Sequence, residues 1–182
     1  GELGSNCADT GVRSRTDAAG RECVESQPGG GTTIKHCASN SQGCNRMGSG
    51  SILSGGTLGE IYLRWCGIAS RESQPMSIMT SYNLVNGVHA ANNYDLCMKA
   101  ARCEFGFKGV IMTDWCTTEN GDDCTASGCM RAGNDLVMPG QLSDPENIGC
   151  ALADGTLYDR ELRRCSTRLG RIVRRCNAGE GQ

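Results

Sequence analysis

The sequence has few aromatic residues, which fill hydrophobic cores, and few histidines, which are common metal ligands. Aromatic residues make up 4% of its 182 residues, and it contains only two histidines. Although there are 13 cysteines, none form a Cys-x-x-Cys pair, so the sequence predicts neither a zinc nor an iron–sulfur site. Because 13 is odd, not all can pair internally. We expect most to be small buried thiols in a reduced compartment, with a disulfide framework as the alternative.

The sequence also lacks a large net charge and a long apolar run. The formal net charge of -2 gives no electrostatic case for binding nucleic acid or an anionic membrane. No apolar run approaches the roughly 20 residues of a membrane span, and no signal-peptide pattern opens the sequence. We therefore expect neither nucleic acid nor a membrane as partner, and a cytoplasmic location. The length suits one domain with a core, or part of a larger one.

The pattern of apolar residues predicts strands that alternate with helices. Strands are expected at residues 32–34, 76–80, 110–112 and 134–138. Helices are expected at residues 57–73, 94–104, 122–132 and 158–176, with one more after Ser143 that contains Ile148, Ala151 and Leu152. Such alternation requires a parallel sheet with helical crossovers. The fold class is therefore α/β, and four units fit either a small open sheet or half of a (β/α)8 barrel.

The remaining segments set the domain limits. Residues 1–26 are expected to be poorly ordered or partly helical, with a helix ending within residues 18–26. Residues 27–176 are expected to form the domain that holds these units, and residues 177–182 are expected to form a flexible tail. Residues 37–56 form a long loop rich in Ser, Gly and Asn, which is typical of a functional or disordered segment.

Polar and aromatic residues follow each predicted strand. In parallel α/β folds ligands bind at the carboxyl ends of the strands, so these residues should lie on one functional rim. Asp114 follows the buried run 110–112, and Trp115 beside it offers a flat apolar surface. Asp114 is either a catalytic carboxylate or the cap of a following helix or loop. Asp135 precedes a buried run, and we interpret it as a structural carboxylate.

Four ordered motifs resemble glycoside hydrolase family 3, the β-glucosidase-like enzymes. They are Lys35-His36, then Ser81-Tyr82-Asn83 with Val85-Asn86-Gly87, then Gly106-Phe107 with Thr113-Asp114-Trp115, then Ala132-Gly133-Asn134-Asp135 with Met138-Pro139-Gly140. Each motif alone is weak, but their order and spacing agree over residues 27–175. The resemblance implies the C-terminal half of a (β/α)8 TIM barrel, because the family carries these motifs on its later strands.

The resemblance also implies roles for five residues. Asp114 matches the nucleophile, which would form a covalent glycosyl-enzyme and retain configuration. Lys35 and His36 match the pair that binds sugar hydroxyls, Tyr82 matches a tyrosine beside the nucleophile, and Trp115 resembles a sugar-stacking residue. Without the resemblance, we would interpret Lys35 as a solvated cation, His36 as a structural histidine and Tyr82 as a core residue. The implied substrate is a small glycoside or oligosaccharide, with no cofactor and no metal.

Departures from the family pattern weaken the activity that the resemblance implies. A retaining mechanism needs a second carboxyl group about 5 Å from the nucleophile as acid/base. The family supplies it from a following domain or from an Asp–His pair after the Lys-His motif, and residues 37–56 contain neither Asp nor His. We therefore expect a fragment or eroded homologue of a β-glucosidase. The alternative is an inactive pseudoenzyme, or a sugar-binding or structural fragment that needs a partner chain.

Two further expectations concern surfaces. A half barrel leaves two strand edges exposed, so we expect a homo-oligomer or association with a missing half barrel. The arginines of residues 160–175 alternate with apolar residues, which favours a solvated helix face over a nucleic-acid patch. A flavodoxin-like binding module is a third, weaker hypothesis. The sequence lacks the glycine-rich phosphate loop between a strand and a helix that such a module would need.

Overall fold

A parallel four-stranded sheet forms the centre of the fold. The computed structural model describes residues 12–16, 22–26, 31–119 and 124–178. The sheet contains β3 (Thr33–Cys37), β5 (Ser77–Thr80), β8 (Val110–Trp115) and β9 (Leu136–Met138), in that spatial order. Every neighbouring pair is parallel. The α/β prediction is thus confirmed.

The strands follow one another across the sheet in chain order. Ile34 pairs with Ile78, Ile78 with Ile111, and Met112 with Leu136. A doubly wound sheet of the flavodoxin type reverses its strand order at a switch point, whereas consecutive barrel strands do not. The described sheet shows no reversal. The order therefore matches successive units of a (β/α)8 barrel and argues against the flavodoxin-like hypothesis.

Two strands are longer than the sequence predicted. β3 extends through Cys37, so Lys35 and His36 lie within the strand and not after it. β8 extends through Trp115, so Asp114 also lies on a strand. In both cases the prediction ended the strand at the last apolar residue. The backbone pairing continues into the polar residues that follow, which the apolar pattern does not detect.

The first predicted helix is interrupted. It comprises α1 (Gly55–Thr57), a π-helical turn (Leu58–Tyr62) and α2 (Arg64–Ser73). The Leu63 amide donates to the Leu58 carbonyl five residues earlier, at 2.8 Å, which inserts an extra residue into the turn. Ile61, Trp65 and Ile68 were predicted to face the core, and that prediction is wrong because the inserted residue rotates the helix. All three are exposed, whereas Leu63, Cys66, Gly67 and Ser70 are buried.

The other helices agree with their predictions apart from their ends. They are a π-type helix (Asp95–Glu104), α3 (Ala126–Ala132), α4 (Asp144–Asp154) and α5 (Asp159–Ala178). Asn93 caps the π-type helix by accepting from the Leu96 amide at 3.1 Å. Ser143, in contrast, makes no side-chain cap to α4. The start of the helix predicted at residues 122–132 lies partly outside the described residues.

Two smaller sheets complete the fold. β1 (Val12–Thr16) and β2 (Glu22–Ser26) pair in antiparallel fashion, so the helix predicted to end within residues 18–26 is wrong where the chain is described. The valine and threonine residues of both segments favour extended backbone, which the ladder hydrogen bonds then fix. β4 (Gly50–Ser51) joins β6 (Leu84–Val85) and β7 (Val88–His89) in the second sheet. Asn86 and Gly87, both at positive φ, form the predicted turn between β6 and β7.

The core lies between the parallel sheet and its helices, and much of it consists of small side chains. Ile78 and Ile111 are each 1% exposed, and Phe105 and Phe107 pack against the same cluster. Cysteine thiols are buried in the core at six positions, which are Cys37, Cys66, Cys97, Cys124, Cys129 and Cys165. All eleven cysteines between Cys37 and Cys176 are free of a disulfide. Within those ranges, no helix is both long and apolar enough to cross a membrane.

Candidate active site

Asp114 occupies the carboxyl end of β8 with one oxygen engaged and one open. Its residue is 8% exposed. Oδ1 accepts a hydrogen bond from the Trp115 amide at 2.7 Å. Oδ2 is buried and accepts no hydrogen bond in the described part of the chain. An unsatisfied buried carboxylate oxygen is costly in a folded protein, so its retention points to a functional role more than to a cap.

His36 is the ionisable side chain beside that open oxygen. Its Nε2 lies 3.3 Å from Asp114 Oδ2, within ion-pair distance but without good hydrogen-bond geometry. Burial lowers the pKa of His36 below its ordinary value of 6.5, Asp114 opposes that shift, and Lys35 and Arg46 add to it. The imidazole is therefore neutral at pH 7. A neutral imidazole both donates and accepts hydrogen bonds, as the recognition of a hydroxyl group requires.

Tyr82 closes the other side of the carboxylate. Its hydroxyl donates to the Trp115 carbonyl at 2.7 Å, and the residue is 7% exposed. Burial raises the pKa of Tyr82, the negative charge of Asp114 and the contact of the phenol with that carboxylate raise it further, and the charge of Arg46 opposes the shift. The phenol therefore stays protonated at neutral pH and holds the strand end that carries the carboxylate.

Trp115 and Lys35 are placed differently from these three. Trp115 is 55% exposed directly beside Asp114, so its indole presents an apolar surface to solvent at the mouth of the site. Such a surface suits the C–H groups on a sugar face. Lys35 is exposed, and its ammonium group makes no hydrogen bond or ion pair with the described residues. The structure thus brings Asp114, His36 and Tyr82 together, places Trp115 at their edge, and leaves Lys35 without a described contact.

The backbone that follows His36 is fixed by the next strand. Ser81 Oγ donates to the Ala38 carbonyl at 2.9 Å, and Asn83 Nδ2 donates to the same carbonyl at 3.2 Å. Ala38 and Ser81 are fully buried. The peptide bonds Lys35–His36 and Cys37–Ala38 are both cis. The Ser81-Tyr82-Asn83 motif therefore has two roles, since its outer residues anchor the loop and its tyrosine faces the carboxylate.

Arg46 is a site residue that the sequence did not reveal. Its guanidinium lies 4.9 Å from the centre of the Tyr82 ring, in cation–π contact. Arg46 and Tyr82, with Asn45 and Met47, line an open hollow of about 320 Å³. The positive charge of Arg46 also lowers the pKa of His36 and of Tyr82. Arg46 lies in a polar loop without periodicity, and only its position after Lys35-His36 could have drawn attention to it.

The structure supports the separation of Asp135 from the site. Asp135 is 3% exposed and accepts from Arg102, from Arg168 and from the Ile111 amide. It lies before β9, at the amino end of the strand, whereas Asp114 lies at a carboxyl end. Of the described carboxylates, only Asp114 influences the pKa values of both His36 and Tyr82. No group of three or more metal-binding side chains occurs in the described ranges.

Comparison with known proteins gives one consistent group of relatives. No family model matches the chain. A β-glucosidase of Ruminococcus albus is 39% identical over 145 residues, which cover 75% of this chain and 15% of the relative. An exo-α-(1→6)-L-arabinopyranosidase of Bifidobacterium longum is 35% identical over 157 residues, which cover 86% of this chain and 20% of the relative.

Solved structures give the same result. β-Glucosidase 3B from Thermotoga neapolitana in complex with glucose superposes with a TM-score of 0.76 at 36% identity, covering 84% of this chain and 22% of that one. The GH3 β-glucosidase of Bifidobacterium adolescentis gives a TM-score of 0.76 at 31% identity, covering 85% of this chain and 22% of that one. The chain therefore spans 15–22% of the length of these relatives.

Proposed function

The chain is a partial catalytic domain of the glycoside hydrolase family 3 type, and on that premise we propose that it carries the nucleophile half of a retaining β-glucosidase site. The observation that supports this most is the open Oδ2 of Asp114 beside His36. A nucleophilic carboxylate needs one oxygen held and one oxygen free to attack the anomeric carbon. The Trp115 amide holds Oδ1 in this way.

The surrounding residues have complementary roles in this proposal. His36 in its neutral form, with Lys35, binds hydroxyl groups of the sugar, and Trp115 packs against the sugar face. The Tyr82 hydroxyl donates a hydrogen bond to the Trp115 carbonyl, which fixes the end of β8 and so the orientation of the carboxylate. The substrate is then a small β-glycoside, and the names of the relatives favour a glucoside.

The acid/base is proposed to come from outside the described residues. Asp114 is the one described carboxylate whose charge shifts the pKa values of both His36 and Tyr82. β3 and β9 each have one neighbour in the described sheet, so their free edges are suited to further strands. Additional strands at these edges would complete the barrel. A 19 kDa monomer that unfolds cooperatively on its own, in ultracentrifugation and calorimetry, would contradict this part of the proposal.

The test is hydrolysis of a dinitrophenyl β-glucoside with added azide. Dinitrophenolate leaves without a proton, so cleavage needs only the nucleophile, and azide then attacks the glycosyl-enzyme in place of activated water. We expect release of dinitrophenolate and formation of β-glucosyl azide, with both abolished in Asp114→Asn. If the chain releases no dinitrophenolate at saturating substrate, the inactive alternative is correct.

A further inference from the structure

A second pocket lies at the opposite end of the sheet from Asp114. It has a volume of about 450 Å³ and is formed by the loop before β8 and one face of α5. Its lining residues are Arg102, Phe107, Lys108, Gly109, Arg168, Arg171, Ile172 and Arg175. Gly109 immediately precedes β8 at its amino end, and the strand separates this pocket from the Asp114 end by roughly 16 Å at about 3.3 Å per residue. A sugar bound at Asp114 does not reach it.

The pocket is strongly cationic. Five of its lining side chains are Arg or Lys, and no acidic side chain lines it in the described part of the chain. Asp135 lies behind two of the arginines and pairs with Arg102 and Arg168, at 2.5 and 2.9 Å. The charged groups of Lys108, Arg171 and Arg175 make no hydrogen bond or ion pair with the described residues. A single carboxylate therefore faces five positive charges.

The buried member of the cluster has an unused donor. The Arg102 side chain is only 6% exposed, and its Nη groups bind Asp135 and the carbonyls of Phe107 and Gly109. Its Nε–H is buried and meets no acceptor in the described ranges. Burial lowers the pKa of Arg102 to about 10, the charge of Asp135 opposes that shift, and the charge of Arg168 adds to it. An anion in the pocket would place a second negative charge beside this buried guanidinium and favour its charged form.

Four residues of α5 line one side of the pocket. Arg168, Arg171, Ile172 and Arg175 are spaced at i, i+3, i+4 and i+7, so they share one face of the helix and converge on the loop before β8. Guanidinium groups bind the oxygens of phosphate in a bidentate manner. Phe107, stacked under Arg102 at 5.1 Å, forms an apolar wall.

We propose that this pocket binds a multiply charged oxyanion, the phosphate group of a small molecule, held by Arg171, Arg175 and Lys108 above the Arg102–Asp135–Arg168 cluster. The site is independent of the glycoside site. Occupancy would tie α5 to the loop before β8 and so brace the amino end of the strand that carries Asp114 at its other end.

The test is calorimetric titration of the full chain with inorganic phosphate and with pyrophosphate, at an ionic strength held constant with chloride. We expect saturable binding, tighter for pyrophosphate, and a weakening of at least about tenfold in the double variant Arg171→Gln/Arg175→Gln. The matched control is Arg163→Gln/Arg174→Gln, which removes the same charge from exposed positions of α5 outside the pocket. Its affinity should fall less than about twofold, because only screened, distant charges are lost.

Three results would overturn the proposal. The first is an absence of saturable heat with either anion in a chain whose circular dichroism is that of a folded protein. The second is equal weakening in the two double variants, which would indicate diffuse attraction to the helix. The third is binding to a polyglutamate peptide without binding to pyrophosphate, which would assign the surface to an acidic protein partner. Titration of Asp114→Asn should match the unsubstituted chain, so failure of the glycosidase proposal leaves this one unaffected.

Discussion

Asp114 and Asp135 are both buried at ends of the same sheet, yet their surroundings differ completely. Asp135 accepts from two arginines and a backbone amide, so both of its oxygens are used. Asp114 accepts from one backbone amide, and its second oxygen is left open beside a neutral histidine. Hydrogen-bond satisfaction thus distinguishes a carboxylate that stabilises the fold from one that is available for chemistry.

The largest effect should follow from removal of the satisfied carboxylate. Asp135→Ala leaves the guanidinium groups of Arg102 and Arg168 without their partner, and Arg102 is almost completely buried. Breaking a buried ion pair in this way costs about 3–5 kcal/mol. Urea denaturation followed by circular dichroism measures the loss.

Asp114→Asn is the matched control for this comparison. It removes a charge whose hydrogen bond of good geometry comes from the Trp115 backbone amide, so the change in unfolding free energy should stay within about 1 kcal/mol. Equal losses in the two variants would mean that Asp114 is as structural as Asp135, and the distinction between them would fail.

A smaller effect is expected at Tyr82. Tyr82→Phe removes the donor to the Trp115 carbonyl while it keeps the ring under Arg46. Leaving that carbonyl unpaired should cost about 1–3 kcal/mol in unfolding free energy, measured in urea. Tyr158→Phe, at a half-exposed tyrosine that also stacks under an arginine, should change it by less than about 0.5 kcal/mol. A Tyr82→Phe variant as stable as the Tyr158→Phe variant would show that the bond does not hold the strand end.

The smallest effect concerns His36 and pH. Its pKa is lowered in the folded state, so the folded chain prefers the neutral form. Its contribution to stability is therefore complete above pH 6.5 and is lost as pH falls through the lowered pKa. The urea midpoint of the unsubstituted chain should decline in that acid range slightly more than that of His36→Gln. Two parallel profiles would show that His36 titrates as it does in the unfolded chain.

The sequence predicted the order of the units and the rim, because β-α alternation and the polar residues after each apolar run are local signals. It did not predict the phase of the first helix, since the π-helical turn at Leu58–Tyr62 rotates Trp65 outward for reasons of tertiary packing. The sequence identified Asp135 as structural, but it did not identify its partners, Arg102 and Arg168. These lie on two helices, 33 residues before and 33 residues after Asp135. Arg46 was missed because loop residues carry no periodicity.

The structure brings together three of the five site residues that the resemblance implied. Asp114, His36 and Tyr82 form one cluster, and this proximity depends on the pairing of β3, β5 and β8, which sequence spacing alone does not give. Lys35 is exposed and makes no hydrogen bond or ion pair with the described residues. Its role in binding sugar hydroxyls remains a prediction.

The central claim is that Asp114 attacks the anomeric carbon, and one measurement tests it most directly. The full chain is incubated with an activated 2-deoxy-2-fluoro glucoside, and its intact mass is then measured, because fluorine slows release of the glycosyl-enzyme more than its formation. The account predicts a mass increase of one fluoroglucosyl group that peptide mapping places on Asp114 and that Asp114→Asn abolishes. An unchanged mass at saturating reagent, or an adduct on another residue, would contradict it.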